Sequence, residues 1–352
     1  MRRAAREAEV ASAIGGAIES GKIGERQFTY LARALFAYQY EFNAPYRRFC
    51  DGRGVTPDDI ASWRDIPAAP ASAFKRFALI CTPEEDCAPE RGGRVFHSSG
   101  TTQAETSRHF LNAAALDLYR QSLTAGYAQS VPPTSAILAL MPSQADAPHS
   151  SLSFMLGELG AHFFHGDQLL THIPVWIRSQ WKDYTLFGTA FAFVNLFDGT
   201  DGPLTLSEDC VVVETGGFKG RSREVSREVL YGMFADRFGV AANRSISEYG
   251  MSEMASQYYD SVALDAAAGI RRKGRKVGPP WLRTRILDPI TGEDARPGQP
   301  GLLAHYDLAN LNSVLAIQTE DLGIAADDGD GFTLLGRAPG AILRGCSLLA
   351  EG

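Results

Sequence analysis

Ser98, Ser99, Gly100, Thr101 and Thr102 stand side by side in the stretch RVFHSSGTTQ, Arg94 to Gln103. Four hydroxyls around a glycine give closely spaced backbone N–H groups, extra donors and a hinge. Such a nest can hold the oxygens of a polyphosphate. No Gly-Lys-Ser/Thr follows, so the stretch is not a Walker loop, and an ordinary P-loop NTPase is disfavoured. Read alone, the stretch is equally a plain surface loop. A second reactive candidate is Cys346, in RGCSLLAEG, two positions after Arg344. A thiolate is a good acyl acceptor, and a nearby guanidinium lowers a thiol pKa. The plain alternative is a small apolar residue near a chain end. The other cysteines, Cys50, Cys81, Cys87 and Cys210, are scattered without paired metal-ligand spacing. An odd total of five suits free thiols in a reducing compartment better than a disulfide framework.

These groups need a scaffold. Phe28, Leu31, Leu35, Tyr38 and Phe42 recur at three- and four-residue steps and predict one apolar helical face over 26–42. Ile66 to Phe77 is punctuated by proline and reads as extended chain before a short helix. Residues 108–127 read as a helix with Leu116, Tyr119, Leu123 and Tyr127 on one face, and Ser135 to Pro142 as a buried strand. In Leu186 to Asp198, the side chains of Phe187, Phe191, Phe193 and Phe197 fit an apolar pocket lining or a core helix equally well. Cys210 to Val213 is a β-branched run that breaks at Gly216-Gly217. A helix with Val225, Val229, Met233 and Phe234 on its core face follows, then a strand, SISEYG. Strand, loop, helix, strand predicts an α/β layer of parallel strands, with ligands at the strand C-terminal ends. Recurrent Pro and Gly in the last hundred residues predict hairpins and a small β-rich lobe. The run RRKGRK, Arg271 to Lys276, reads as a solvated turn, or else as a face for an acidic carrier protein.

Composition sets the outer bounds. The chain has 352 residues and 45% hydrophobic content, enough for a large core divided between lobes. A net charge of −7 disfavours a general nucleic-acid surface. No window reaches the roughly 20 apolar residues of a membrane span, and the first residues lack a secretory apolar core, so a cytoplasmic protein is expected.

Beyond the loop and the thiol, ETGGF (Glu214 to Phe218), EYGMSE (Glu248 to Glu253), TEDLG (Thr319 to Gly323) and LGRAPGAILRGC (Leu335 to Cys346) follow in order. Set beside SSGTT, they resemble the adenylate-forming superfamily of acyl-activating enzymes. ETGGFKGRSREVSREVLY, GRAPGAILRGCSL, PASAFKRF and SEYGMSEMASQYYD are similar to the acyl-protein synthetases of the LuxE type, and more distantly to phenylacetate-CoA ligases. The likeness runs from about Ile66 onward.

The resemblance implies an α/β fold, the large N-terminal domain of an adenylate-forming enzyme, without the usual C-terminal mobile domain. It divides the chain into a core over 1–270, a β-rich lobe completing the nucleotide site over 271–340, and a tail over 341–352. It implies ATP and Mg²⁺. Ser98, Ser99, Gly100, Thr101 and Thr102 would hold the β- and γ-phosphates, and Gly216, Gly217 and Phe218 would border the adenine, with Tyr249 as the opposing aromatic. Ser252, where the family usually has threonine, would reach the α-phosphate. Glu253 would bind the metal, and Asp321 and Arg337 would meet the ribose. Cys346 would accept the acyl group from the adenylate as a thioester. The expected activity is activation of a carboxylic, apolar acid followed by transfer to that thiol, feeding an acyl reductase or carrier protein. The alternatives are an acid–CoA ligase using a soluble thiol, or a non-catalytic nucleotide-binding relative. Homo-oligomerisation stays open. The cation facing the pyrophosphate is unassigned; Lys219 and Arg223 are the nearest candidates by sequence. His97 reads as a packing residue or a base.

Overall fold

The computed structural model describes residues 2–98, 106–179, 183–216, 225–272, 274–327 and 329–339. Three helices, Arg2–Ser20, Glu25–Phe42 and Ala44–Asp51, open the chain. The predicted apolar spacing does form a helical face: Phe28, Leu31, Leu35 and Tyr38 are buried along the second helix. The polar Gln39 is buried with them and fastens this helix to the far end of the chain. Its Nε2 donates to the Asn310 and Leu311 carbonyls at 2.7 and 3.2 Å, and its Oε1 accepts from the Leu315 N–H at 2.8 Å.

A short strand, β1 (Ala69–Pro70), precedes the turn of helix Ala73–Arg76, as the proline punctuation predicted. Next comes a separate antiparallel hairpin of β2 (Arg94–His97) and β3 (Arg108–Leu111). The expected helix over 108–127 therefore starts late, at Ala113–Ser130. Asn112 caps it by accepting from the Ala115 N–H, and the four residues before the cap pair as a strand.

The main sheet has a parallel half of β4 (Ala136–Leu140), β5 (His162–Phe163), β6 (Tyr184–Thr189), β7 (Val211–Thr215) and β8 (Ser245–Tyr249), in the order β5-β4-β6-β7-β8. Both faces are covered. Val212 and Leu186 point into one apolar cluster, while Val211, Val213 and Phe187 point into the other. The sheet continues through antiparallel strands: β9 (Tyr258–Asp260), β10 (Lys276–Val277), β11 (Leu282–Leu287), β12 (Gly301–Asp307), β13 (Ala316–Ala325) and β14 (Phe332–Arg337). Their order beyond β8 is β9-β10-β14-β13-β12-β11, and β1 pairs with β13.

Two details differ from expectation, and a third decides between the alternatives left open. The helix after β7 buries Leu230, followed by Phe234 and Phe238 in a π-helical turn, while Val229 is exposed. Phe193 and Phe197 do not line an acid pocket. They pack in the helix Ala190–Asp198 against Phe234 and Phe238, with ring centroids 4.7 to 6.2 Å apart. The run Arg271 to Lys276 is not a solvated turn throughout: Arg275 is 4% and Lys276 1% exposed. Lys276 enters β10, where its ammonium meets the Ser247 carbonyl at 2.7 Å and Asp260 at 3.3 Å. A buried lysine is tolerated because these partners replace its hydration.

Candidate active site

The serine-rich stretch lies in sequence between β2 and β3, whose ends are held together in a neck. That neck is closed by the Ser98 N–H donating to the Ser107 carbonyl at 3.1 Å and the Ser107 N–H donating to Ser98 Oγ at 3.0 Å. Ser99, Gly100, Thr101 and Thr102 lie outside the described residues.

The turn after β8 docks on this neck. Ser252 Oγ lies 3.4 Å from the His97 carbonyl and 3.4 Å from Ser151 Oγ. The Ser107 hydroxyl donates to the Glu253 carboxylate. Glu253 is 6% exposed, and its backbone carbonyl accepts from Asn310 Nδ2 at 2.8 Å. The loop 307–315, which Gln39 braces, thus holds the carboxylate from behind. Burial pushes its pKa up, while the Ser107 hydroxyl and the charges of Lys75 and Arg337 pull it back. The oxygen donors gathered here suit a hard cation. Among the described residues no group of three or more His, Cys, Asp or Glu side chains could by itself hold a metal ion, so a cation at Glu253 would complete its shell with phosphate oxygens and water.

On the other side of the same turn, Tyr249 ends β8. Its hydroxyl donates to Asp321 Oδ2 at 2.8 Å, and its ring sits beside Tyr258, His305 and Phe332. Asp321 on β13 is the register partner of Arg337 on β14. Arg337 is extended into solvent, 79% exposed, with Glu320 at 3.9 Å. Thr215 and Glu248 are partners across β7 and β8, which sets Gly216 beside Tyr249. Gly216 has φ of +66°, and a Cβ there would meet no atom of the described residues within 4 Å. The left-handed backbone is the reason for glycine here, not crowding by the described residues. Gly217 and Phe218, with Lys219 and Arg223, lie outside the described residues.

Gly250 has a different reason to be glycine: a Cβ would come within 2.6 Å of Glu248 Oε1. That carboxyl accepts from the Thr215 hydroxyl, and complete burial pushes its pKa up to about 7. Beneath it lie Glu214, Asp260, Lys276 and Arg227, the last paired with Asp260.

Of the residues singled out from the sequence, the described ones form a continuous strip. Ser98, Ser252 and Glu253 meet at the hairpin neck; Gly216, Tyr249, Asp321 and Arg337 follow along the strand ends. Sequence reasoning missed four neighbours. His149 stacks its imidazole on His97 at 4.1 Å and 6°, and burial followed by His149 holds the His97 pKa below the usual range. Lys75 acts on Glu253 from PASAFKRF, a segment already visible as a family likeness but given no role. Lys276 sat inside a charge run, where Val277 beside it was the only sign of a strand. His305 had no signal at all.

The four described cysteines are buried. Burial raises Cys81 and Cys210 above the usual thiol range, Cys50 to about 12 and Cys87 to about 11, so none is poised as a nucleophile. Cys346 lies outside the described residues.

No family model matches the chain. Among solved structures, 2-hydroxyisobutyryl-CoA ligase in its postadenylation state, bound to 2-HIB-AMP, superposes with a TM-score of 0.64 at 12% identity, over 89% of this chain and 67% of that one. The chain has the fold of an adenylate-forming enzyme's large domain. More particularly, it is similar to the long-chain-fatty-acid–luciferin-component ligases. It is 22% identical to that of Vibrio harveyi, over 90% of this chain and 85% of the relative, and 21% identical to that of Aliivibrio fischeri, over 84% and 79%. The likeness read from the motifs is therefore borne out. Among the described residues, no helix is long and apolar enough to cross a membrane.

Proposed function

We propose that this protein activates a carboxylic acid with ATP and passes the acyl group to a thiol, that of Cys346. The acid's oxygen bonds to the α-phosphorus, the bond from that phosphorus to the bridging oxygen breaks, and pyrophosphate leaves. The sulfur of Cys346 then attacks the acyl carbon, the carbon–oxygen bond to AMP breaks, and the thiol proton goes to solvent. A long-chain acid is the class that the names of the curated relatives suggest.

The observation that carries the reading is the docking of the Ser252–Glu253 turn on the hairpin neck, beside the Tyr249–Asp321 pair. Glu253 would hold Mg²⁺, which when bound offsets phosphate charge. Lys75, whose charge Glu253 feels, is the described cation we assign to the phosphate side, beside the candidates Lys219 and Arg223. Asp321 would accept from the ribose hydroxyls, with Arg337 beside it; Gly216 would admit the base. Chemistry of this kind is mainly positioning and charge stabilisation.

The test is incubation with ATP and a labelled fatty acid, followed by denaturing electrophoresis. Label that stays with the chain, is released by hydroxylamine and vanishes in Cys346→Ser supports the reading. Hydroxylamine-sensitive label on Cys346→Ser contradicts the role of Cys346. Acid-dependent pyrophosphate exchange without any protein label points to a soluble thiol as acceptor, the chemistry named in the 2-hydroxyisobutyryl-CoA ligase neighbour. ATP binding with no exchange across a broad acid panel contradicts the enzyme reading.

A further inference from the structure

His305 stands on β12, 1% exposed, enclosed by Tyr249, Tyr258 and Phe332 with ring centroids 5.0 to 5.9 Å away. Its Nε2 is 3.3 Å from the Tyr249 hydroxyl, and its Nδ1 is 3.0 Å from both the Tyr258 and Thr284 hydroxyls. The direction of each bond follows from counting protons. Tyr249 has one hydroxyl proton, and Asp321 Oδ2, at 2.8 Å, receives it. The Tyr249 oxygen can then only accept from the imidazole, so Nε2 carries the proton. Nδ1 is left as an acceptor, supplied by Tyr258 or Thr284, whose hydroxyls are themselves 2.5 Å apart. Burial alone takes the imidazole pKa down to about 3, so the ring is neutral at ordinary pH.

We propose that His305 is a positioning residue of the nucleotide site: held as its Nε2–H tautomer by Thr284 and Tyr258, it turns the Tyr249 hydroxyl onto Asp321 and so fixes the carboxylate that meets the ribose. The inference rests on the ribose reading of Asp321. It gives His305 no contact with nucleotide, and assigns it an effect felt only through the sugar hydroxyls.

The test compares binding of ATP and 2′,3′-dideoxy-ATP to the full chain. Wild type is expected to favour ATP by roughly tenfold, the worth of one hydrogen bond to a charged acceptor. Asp321→Asn removes that preference. His305→Phe, which keeps a ring in the cavity but donates nothing, also removes it while leaving dideoxy-ATP binding unchanged. His305→Gln, which can present an amide N–H toward Tyr249, restores part of it. If His305→Phe keeps the wild-type preference, the proposal is wrong and the ribose reading stands. Should wild type itself show no preference, the ribose reading fails and takes the proposal with it. If His305→Phe does not fold, nitrogen NMR of the wild-type imidazole decides: a protonated Nε2 beside a bare Nδ1 upholds the proposal, and the opposite tautomer overturns it.

Discussion

At the scale of single residues, the position of Glu253 is the least expected outcome of ordinary forces. A carboxylate nine-tenths buried normally neutralises itself or finds a cation, and here its described hydrogen-bond partner is the hydroxyl of Ser107. Glu253→Gln preserves size and the hydrogen bond from Ser107 but removes the charge. Acid-dependent pyrophosphate exchange is expected to fall by about a hundredfold or more, as for loss of one strong electrostatic contact in an enclosed site, with the unfolding midpoint unchanged or raised. A variant that exchanges at the wild-type rate would remove Glu253 from the mechanism.

Glu248 makes a separate prediction. Its folded pKa, about 7, lies above its unfolded value near 4.5. The native state therefore holds a proton that the unfolded chain gives up. The associated stability is complete below about pH 4.5 and is lost as pH rises through 7. The total is on the order of 3 kcal/mol from a shift of that size. Denaturant unfolding at pH 5 and pH 8 should show wild type weakening against Glu248→Gln at the higher pH. Equal pH responses would mean that the buried carboxyl is ionised throughout.

At the scale of elements, the helix Glu25–Phe42 reaches the site through a chain of polar contacts. Gln39 grips the loop 307–315, and Asn310 of that loop holds the Glu253 carbonyl. Gln39→Leu leaves the Leu315 N–H and the Asn310 carbonyl buried and unpaired, which costs about 3 kcal/mol. Exchange should fall as well, since the support behind Glu253 loosens. Thermal unfolding and exchange measured together check this, and loss of stability with full activity would confine Gln39 to the core. These elements also show what the sequence could reveal. The helix over 26–42, the strands at Ile137 and Val212, and the glycine break at Gly216 follow from local spacing, and they were legible. Gln39, Asn310 and His305 act on partners hundreds of positions away or on strands distant in order, and no periodicity encodes such pairings. Lys276 was misread because a charge run looks solvated until the strand that buries it is known. Phe193 and Phe197 were ambiguous by spacing alone; only Phe234 and Phe238, packed against them, assigned both to the core.

At the scale of the whole molecule, one hydrogen bond reveals the shape of the sheet. Between β8 and β13 lie four strand steps, β8-β9-β10-β14-β13. Laid flat, four steps span about 19 Å, yet Tyr249 and Asp321, one on each strand, touch at 2.8 Å. The antiparallel half must therefore roll over the end of the parallel half like a closing page. The ladder irregularity at Leu322/Gly323 falls between β13 and β14, the last step of that roll. This curvature is what brings Asp321 to Tyr249. A substitution that straightened the Leu322/Gly323 bulge would part Tyr249 from Asp321 and, under the proposed function, loosen the site without altering any residue assigned to the nucleotide.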